Sequence, residues 1–167
     1  LTADLIAETD KANPKGNKRT GDSATDARFD STTGATVTVA TNNVTIDGNG
    51  HTIDGDGYPT FDFDGVKGAE LKNITVEDGA YTAKIGGAIF VEYGAEVSMD
   101  NITVKDSSAN ATSAFNGGGA IYINNHRGDA PKVTITNSQF INNKVGTNGE
   151  TAVSYTHLRP TRRVVIS

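Results

Sequence analysis

One seven-residue phrase occurs twice, and it limits what the chain is able to become. Ile85-Gly86-Gly87-Ala88-Ile89-Phe90-Val91 returns 32 residues later as Gly117-Gly118-Gly119-Ala120-Ile121-Tyr122-Ile123. Each copy is followed by a turn, an alternating apolar stretch, an Asn and a second short apolar stretch. Glycines feeding a few β-prone residues, repeated at such a distance, mark a chain built from stacked units that bury their apolar faces on one another.

The neighbours of the phrase align as well. Phe61 and Phe63 take the places of Ile89 and Val91, and of Ile121 and Ile123. Leu71-Lys72-Asn73-Ile74-Thr75-Val76 superposes on Met99-Asp100-Asn101-Ile102-Thr103-Val104 and on Ile135-Thr136-Asn137-Ser138-Gln139-Phe140. Each of these runs continues into an acid or amide, at Asp78, Asp106 and Asn142. A degraded copy begins at Gly149-Glu150-Thr151-Ala152-Val153. The steps between equivalent positions run from 28 to 36 residues, so the surplus is expected to loop outward, over Val104 to Gly117 and over Asn124 to Pro131. A leucine-rich repeat would need its Leu spacing and a helix per unit, and neither is present. A flat sandwich would not place Gly-Gly-Ala and Asn at the same point of every turn.

The expected fold is therefore all-β, a parallel β-helix of about four coils. Adjacent strands lie about 4.8 Å apart, so equivalent residues stack in columns. The inward columns are predicted to be Phe61/Ile89/Ile121, Phe63/Val91/Ile123, Leu71/Met99/Ile135 and Val76/Val104/Phe140. Asn73, Asn101 and Asn137 form a ladder of amides where the chain turns.

Composition agrees. Only 35% of the residues are hydrophobic and 19 are Gly, which suits short strands and tight turns rather than a helical bundle. Cysteine is absent, which removes disulfides, thiol nucleophiles and thiolate metal sites. Arg159, Arg162 and Arg163 fall in the last stretch, so residues before 154 hold 12 basic against 20 acidic side chains. That acidic balance argues against nucleic acid as a partner. No apolar run is long enough to make a transmembrane segment.

Three regions follow. Residues 1–34 are expected as a capping helix over Thr2 to Asn13, with Leu5 and Ile6 on its apolar side, and then a polar loop. Residues 35–153 are the β-helix. Residues 154–167 hold neither Gly nor Asn, and resemble translated adapter or vector sequence, a non-native tail; the alternative is a native basic cap. The chain reads as a fragment, any export signal lying upstream.

Gly86-Gly87-Ala88-Ile89, Gly118-Gly119-Ala120-Ile121 and Phe140-Ile141-Asn142-Asn143 together resemble the GGAI and FxxN repeats of polymorphic outer membrane proteins and adhesin-like, autotransporter-type passengers. Asn43-Val44-Thr45-Ile46-Asp47-Gly48-Asn49-Gly50-His51-Thr52-Ile53 is similar to the first coil of many extracellular β-helix proteins. The second motif is incomplete, because Val76 and Val104 stand where Phe140 does. The resemblance covers roughly residues 35 to 153. It implies a right-handed parallel β-helix with the pectin lyase-like fold, and a bacterial, extracellular or cell-surface location. It also implies a structural or adhesive role, with a host surface, glycan or protein as partner.

Parallel β-helices also house polysaccharide lyases and glycoside hydrolases, so a carbohydrate-active enzyme lacking its catalytic coils is the alternative. The catalytic candidates are Asp64 and Glu92, in register one coil apart with Asn124 continuing the column, since paired carboxylates about 5 to 9 Å apart serve glycoside hydrolysis. The plain alternative is two solvated turn residues. The Asn-Thr-Asp, Asp-Asp, Gly-His-Gly and Arg-Ile-Lys signatures of galacturonases are missing, and Lys84, Lys105 and Arg127 are scattered. Asp54 and Asp56 begin like a calcium loop, but Pro59 and Gly65 replace the required Gly and Glu. No cofactor is otherwise expected. His51, His126 and His157 have no metal-ligand spacing. Phe90 and Tyr122 should stack on the outside, where they would bind a sugar ring or partner, or lie under the loop from Val104 to Gly117.

Overall fold

The structure, a computed structural model, describes residues 1–2, 5–6, 37–57, 59–81, 87–109, 118–124, 129–146 and 164–166. These form fifteen strands and, among the described residues, no helix. In chain order they are β1 (Leu5–Ile6), β2 (Val37–Val39), β3 (Thr45–Asp47), β4 (Thr52–Asp54), β5 (Phe61–Asp64), β6 (Ala69–Glu77) and β7 (Ala80–Tyr81). Then come β8 (Ile89–Glu92), β9 (Glu96–Lys105), β10 (Ser108–Ala109), β11 (Ile121–Asn124), β12 (Lys132–Thr136), β13 (Gln139–Ile141), β14 (Lys144–Val145) and β15 (Val164–Ile166).

They make three sheets, which the chain visits in rotation. The four-stranded sheet runs β11-β8-β5-β2 and the three-stranded sheet β14-β10-β7. The eight-stranded sheet runs β1-β4-β6-β9-β12-β15, with β3 beside β6 and β13 beside β9. Every described pair is parallel except β12 with β15.

Register reproduces the four expected columns. Phe61 pairs with Ile89 and Ile89 with Ile121; Phe63, Val91 and Ile123 follow two places on. Leu71, Met99 and Ile135 align, as do Val76, Val104 and Phe140. The offset between partners is 28 residues from β7 to β10, 32 from β8 to β11 and 36 from β9 to β12. The surplus thus enters in two steps of four residues, between Ala109 and Ile121 and between Asn124 and Lys132. The second matches the expected excursion over Asn124 to Pro131; the first begins later than the expected Val104, because Val104 and Lys105 complete β9 and Ser108–Ala109 form β10.

A single left-handed residue shapes each long strand. In β6 the buried positions are Ala69, Leu71, Ile74 and Val76, so strict alternation slips by one at Asn73. Asn73 has φ 51°, a region that Asn tolerates better than most residues. The slip lets apolar side chains on both sides of the bend point into one core. β9 repeats it with Val97, Met99, Ile102 and Val104 around Asn101, at φ 53°. Phe61, Phe63, Leu71, Ile89, Met99 and Ile102 are all at most 1% exposed and belong to one cluster. Burying six large apolar side chains contributes on the order of 2 kcal/mol each.

The repeated glycines are demanded by backbone packing. A Cβ on Gly87 would run into the carbonyl of Gly119, and one on Gly119 into that of Lys144. The Gly87 amide donates to the Gly118 carbonyl at 2.7 Å, so adjacent repeats touch main chain to main chain here.

The amino-terminal expectation is corrected. Leu5 and Ile6 lie in a strand, pairing with Ile53 and Asp54 of β4, so the helix over Thr2 to Asn13 does not form there. The rest of that segment lies outside the described residues. An open sheet edge offers unpaired backbone groups that a strand satisfies directly and a helix does not. Of the expected tail, Val164–Ile166 pair antiparallel with β12 and the remainder lies outside the described residues.

Candidate functional site

The expected site residues fall on the outer face of the four-stranded sheet. With Phe61, Phe63, Ile89 and Val91 pointing inward, alternation sends Asp62, Asp64, Phe90 and Glu92 to the other side. Asp64 and Glu92 are in direct register, and Glu92 is in turn opposite Asn124. Directly opposed residues have Cβ atoms about 5 Å apart, so the carboxylate column read from the repeat exists.

Its surroundings differ from the expectation. Glu92 is 4% exposed, Asp62 0% and Phe90 1%. The solvated reading is therefore overturned for Glu92, and of the two alternatives for Phe90 the covered one holds. Asp64 and Tyr122 are half-buried. The Phe90 and Tyr122 rings meet edge to face, centroids 6.1 Å apart at 66°. Such contacts are worth about 1 kcal/mol beyond the area they bury. Burial, and then the negative charge of Glu92, push the Tyr122 hydroxyl above its ordinary value of 10.0.

The Asp54 carboxylate is used by the turn itself. The Asp54 carboxylate accepts the Asp56 amide N–H at 2.8 Å, and Asp56 takes φ 46°. Asp47 does the same for Asn49 at 2.9 Å, one turn earlier. Among the described residues no three His, Cys, Asp or Glu side chains converge to hold a metal ion. His51 is half-buried, while His126, His157, Lys84 and Arg127 lie outside the described residues. Lys105 is paired with Glu77, which together with neighbouring acids holds its ammonium above its usual range. No described helix is long and apolar enough to cross a membrane.

Two buried polar residues have structural roles that the sequence reading did not assign, although Asn143 was part of the Phe-x-x-Asn motif. Asn143 and Ser107 occupy equivalent positions three residues after Phe140 and Val104. The Asn143 Oδ1 accepts the Ser107 amide at 3.0 Å while its Nδ2 donates to the Val104 carbonyl at 2.8 Å. The Ser107 hydroxyl accepts the Gly79 amide at 3.1 Å and donates to the Lys105 carbonyl at 3.0 Å. Side chains thus span from repeat to repeat where main-chain groups would otherwise be buried unpaired. The Phe-x-x-Asn spacing at Phe140 was the available signal; Ser107 gave none, because Val and Ser replace both ends of the motif.

No protein-family model, curated protein or solved structure matches the chain.

Proposed function

We propose that the chain is a right-handed parallel β-helix of about four coils, and that it serves as a structural and adhesive module of a secreted or cell-surface bacterial protein. The single observation behind this reading is how the recurring residues are used. Gly87, Asn73, Asn101, Ser107 and Asn143 all engage a neighbouring repeat, and the columns between them are apolar. The side chains that recur are spent on stacking one unit upon another, which is what a spacer requires. Of the two carboxylates in register, Asp64 and Glu92, the first is half-buried and the second buried. The half-buried Tyr122 offers a ring edge for a glycan or protein surface.

The test is to immobilise the chain and measure its retention of a panel of extracellular glycans and matrix proteins, assaying the same preparation for new reducing ends from polygalacturonate. Retention without turnover is the expected result. Depolymerisation would replace this reading with that of a carbohydrate-active enzyme.

A further inference from the structure

Among the described residues ten other than glycine take positive φ, and nine of them are Asn or Asp, which tolerate that region. The tenth is Tyr93, at φ 53°. It leads the turn between β8 and β9, where the Ala95 amide donates to the Glu92 carbonyl at 3.1 Å and Gly94 follows at φ 73°. Two successive positive φ values are those of a type I′ turn, whose usual pair is Asn-Gly. One repeat earlier Gly65 takes the equivalent step at φ 63°. A bulky aromatic thus stands where the preceding repeat uses glycine. Tyr93 is half-buried and is not part of the core cluster, so core packing does not account for it. Residues held in such strained conformations cluster at ligand sites.

We infer that Tyr93 is the stacking platform of a binding site for a neutral sugar ring, at the corner where the chain passes from the four-stranded to the eight-stranded sheet. The site rests on the adhesive role proposed above and gives that role a ligand class. A Cβ on Gly65 would meet only Tyr93 within 4 Å, its carbonyl at 3.5 Å and its Cβ at 3.9 Å. The preceding repeat therefore sets no side chain against Tyr93 at this step. Polar groups of both signs surround the corner. The Lys67 ammonium donates to the Gly94 carbonyl at 2.6 Å, and Lys67 and Lys132 approach Glu96 at 3.4 and 3.2 Å. Asp129 lies against Gly94, whose added Cβ would come 2.9 Å from the Asp129 Cβ, and Asp64 precedes Gly65. An aromatic ring with a few charged donors and acceptors around it is how a small ligand is held and oriented. Three carboxylates against two ammonium groups disfavour a uronate or a sulfated sugar, which leaves a neutral ring.

The experiment uses the full chain and three neutral hexasaccharides, maltohexaose, cellohexaose and chitohexaose, with affinity measured by titration calorimetry. Y93N removes the ring and supplies the residue that the turn prefers. At least one hexasaccharide should bind the parent chain, and Y93N should weaken that binding by about fivefold or more. Relief of the strained conformation should at the same time raise the urea midpoint of Y93N, by about 0.3 M. Loss of binding together with a gain in stability is a pairing that a merely structural tyrosine would not give.

A lower urea midpoint for Y93N overturns the proposal, because Tyr93 would then be kept for packing. Undiminished binding by Y93N overturns it as well, by placing the sugar elsewhere on the chain. So does a parent chain that binds none of the three hexasaccharides. Those outcomes are distinct from failure of the adhesive role, which retention of a matrix protein by the same parent chain would still support.

Discussion

At Asn73, Asn101 and Asn137 the chain turns through left-handed residues that carry amides. Five residues further on, at Asp78, Asp106 and Asn142, it turns again with φ of 47°, 53° and 54°, and two of those three positions hold acids. The backbone demand is the same at both corners, since Asn and Asp alike tolerate this conformation. The side-chain outcome differs. An amide both donates and accepts, so Asn101 donates to Asn73 at 2.9 Å and Asn73 donates onward to Asp47 at 3.1 Å, while Asn137 donates to Asp100 at 2.8 Å. A carboxylate only accepts, so stacked acids cannot pass a bond along. At the second corner the Asn142 amide donates to the Asp106 carboxylate at 3.2 Å. Asp78 sits above its ordinary 3.8 there, through partial burial first and then the charges of Asp54, Asp56, Asp106 and Glu77. Conformation selects the pair Asn or Asp; stacking then favours Asn.

The largest effect should be one the two corners share. Gly48 lies against the first corner, where an added Cβ would come within 2.5 Å of the Asn73 carbonyl and of Ile74 Cβ. Gly79 follows the second, with a Cβ 2.5 Å from the Ala88 Cα. Neither obstacle is a flexible side-chain end, so G48A and G79A should each lose about 3 kcal/mol in urea unfolding. Equal losses would show that the corners share their steric fit and differ only in polar chemistry. A mild G79A would break the comparison, because the second corner would then be the looser one.

The next pair separates the chemistry. N101A gives up the tolerance of positive φ, about 1 kcal/mol, and the ladder bond, about 1 kcal/mol more. D106A pays the same conformational cost and leaves Asn142 without its acceptor, but it removes one of the like charges around Asp78. N101A should therefore lose about 2 kcal/mol and D106A about half of that, compared by denaturant midpoint. If the order reverses, the ladder at the amide corner contributes nothing.

Much of this was legible beforehand for a simple reason. Column positions depend on period, and period is written in Phe61, Ile89, Ile121 and their followers. The amide corner could be read because Asn recurs at one place in three aligned runs. Crowding at the acid corner could not. Asp54 and Asp56 read only as the start of a calcium-type loop, and it is the pairing of β4 with β6 that brings them beside Asp78. Alternation placed Phe90 and Glu92 on the outer face correctly, yet alternation carries no record of what covers a face, so coverage of Phe90 stayed one of two alternatives and the burial of Glu92 was missed. Leu5 and Ile6 fit one side of a helix as well as a strand. The available edge of β4 decided for the strand.

The smallest effect is the one that tests the electrostatic half of the comparison. Asp78 holds its proton more tightly in the folded chain than its ordinary 3.8 implies. Its ionised form therefore opposes folding above the folded value, and that penalty fades as pH falls through the folded value toward 3.8. Asp47 and Asp100 have the opposite sign. Backbone and side-chain donors, Asn49 then Asn73 for one and Thr136 then Asn137 for the other, hold them below 3.8. Their contribution is in place above 3.8 and is lost as pH falls through their lowered folded values. D78N should raise stability at pH 7 by about 0.5 kcal/mol, the scale of a solvent-screened interaction. Between neutral pH and 3.8 the advantage should shrink, and below 3.8 the two curves should run together. N101D performs the reverse exchange, placing an acid beside Asp100 in the amide ladder. It should lose stability at pH 7 and recover part of it on acidification. If N101D instead shows no pH dependence relative to the parent chain, the two corners differ by hydrogen bonding alone, and charge has no part in the contrast.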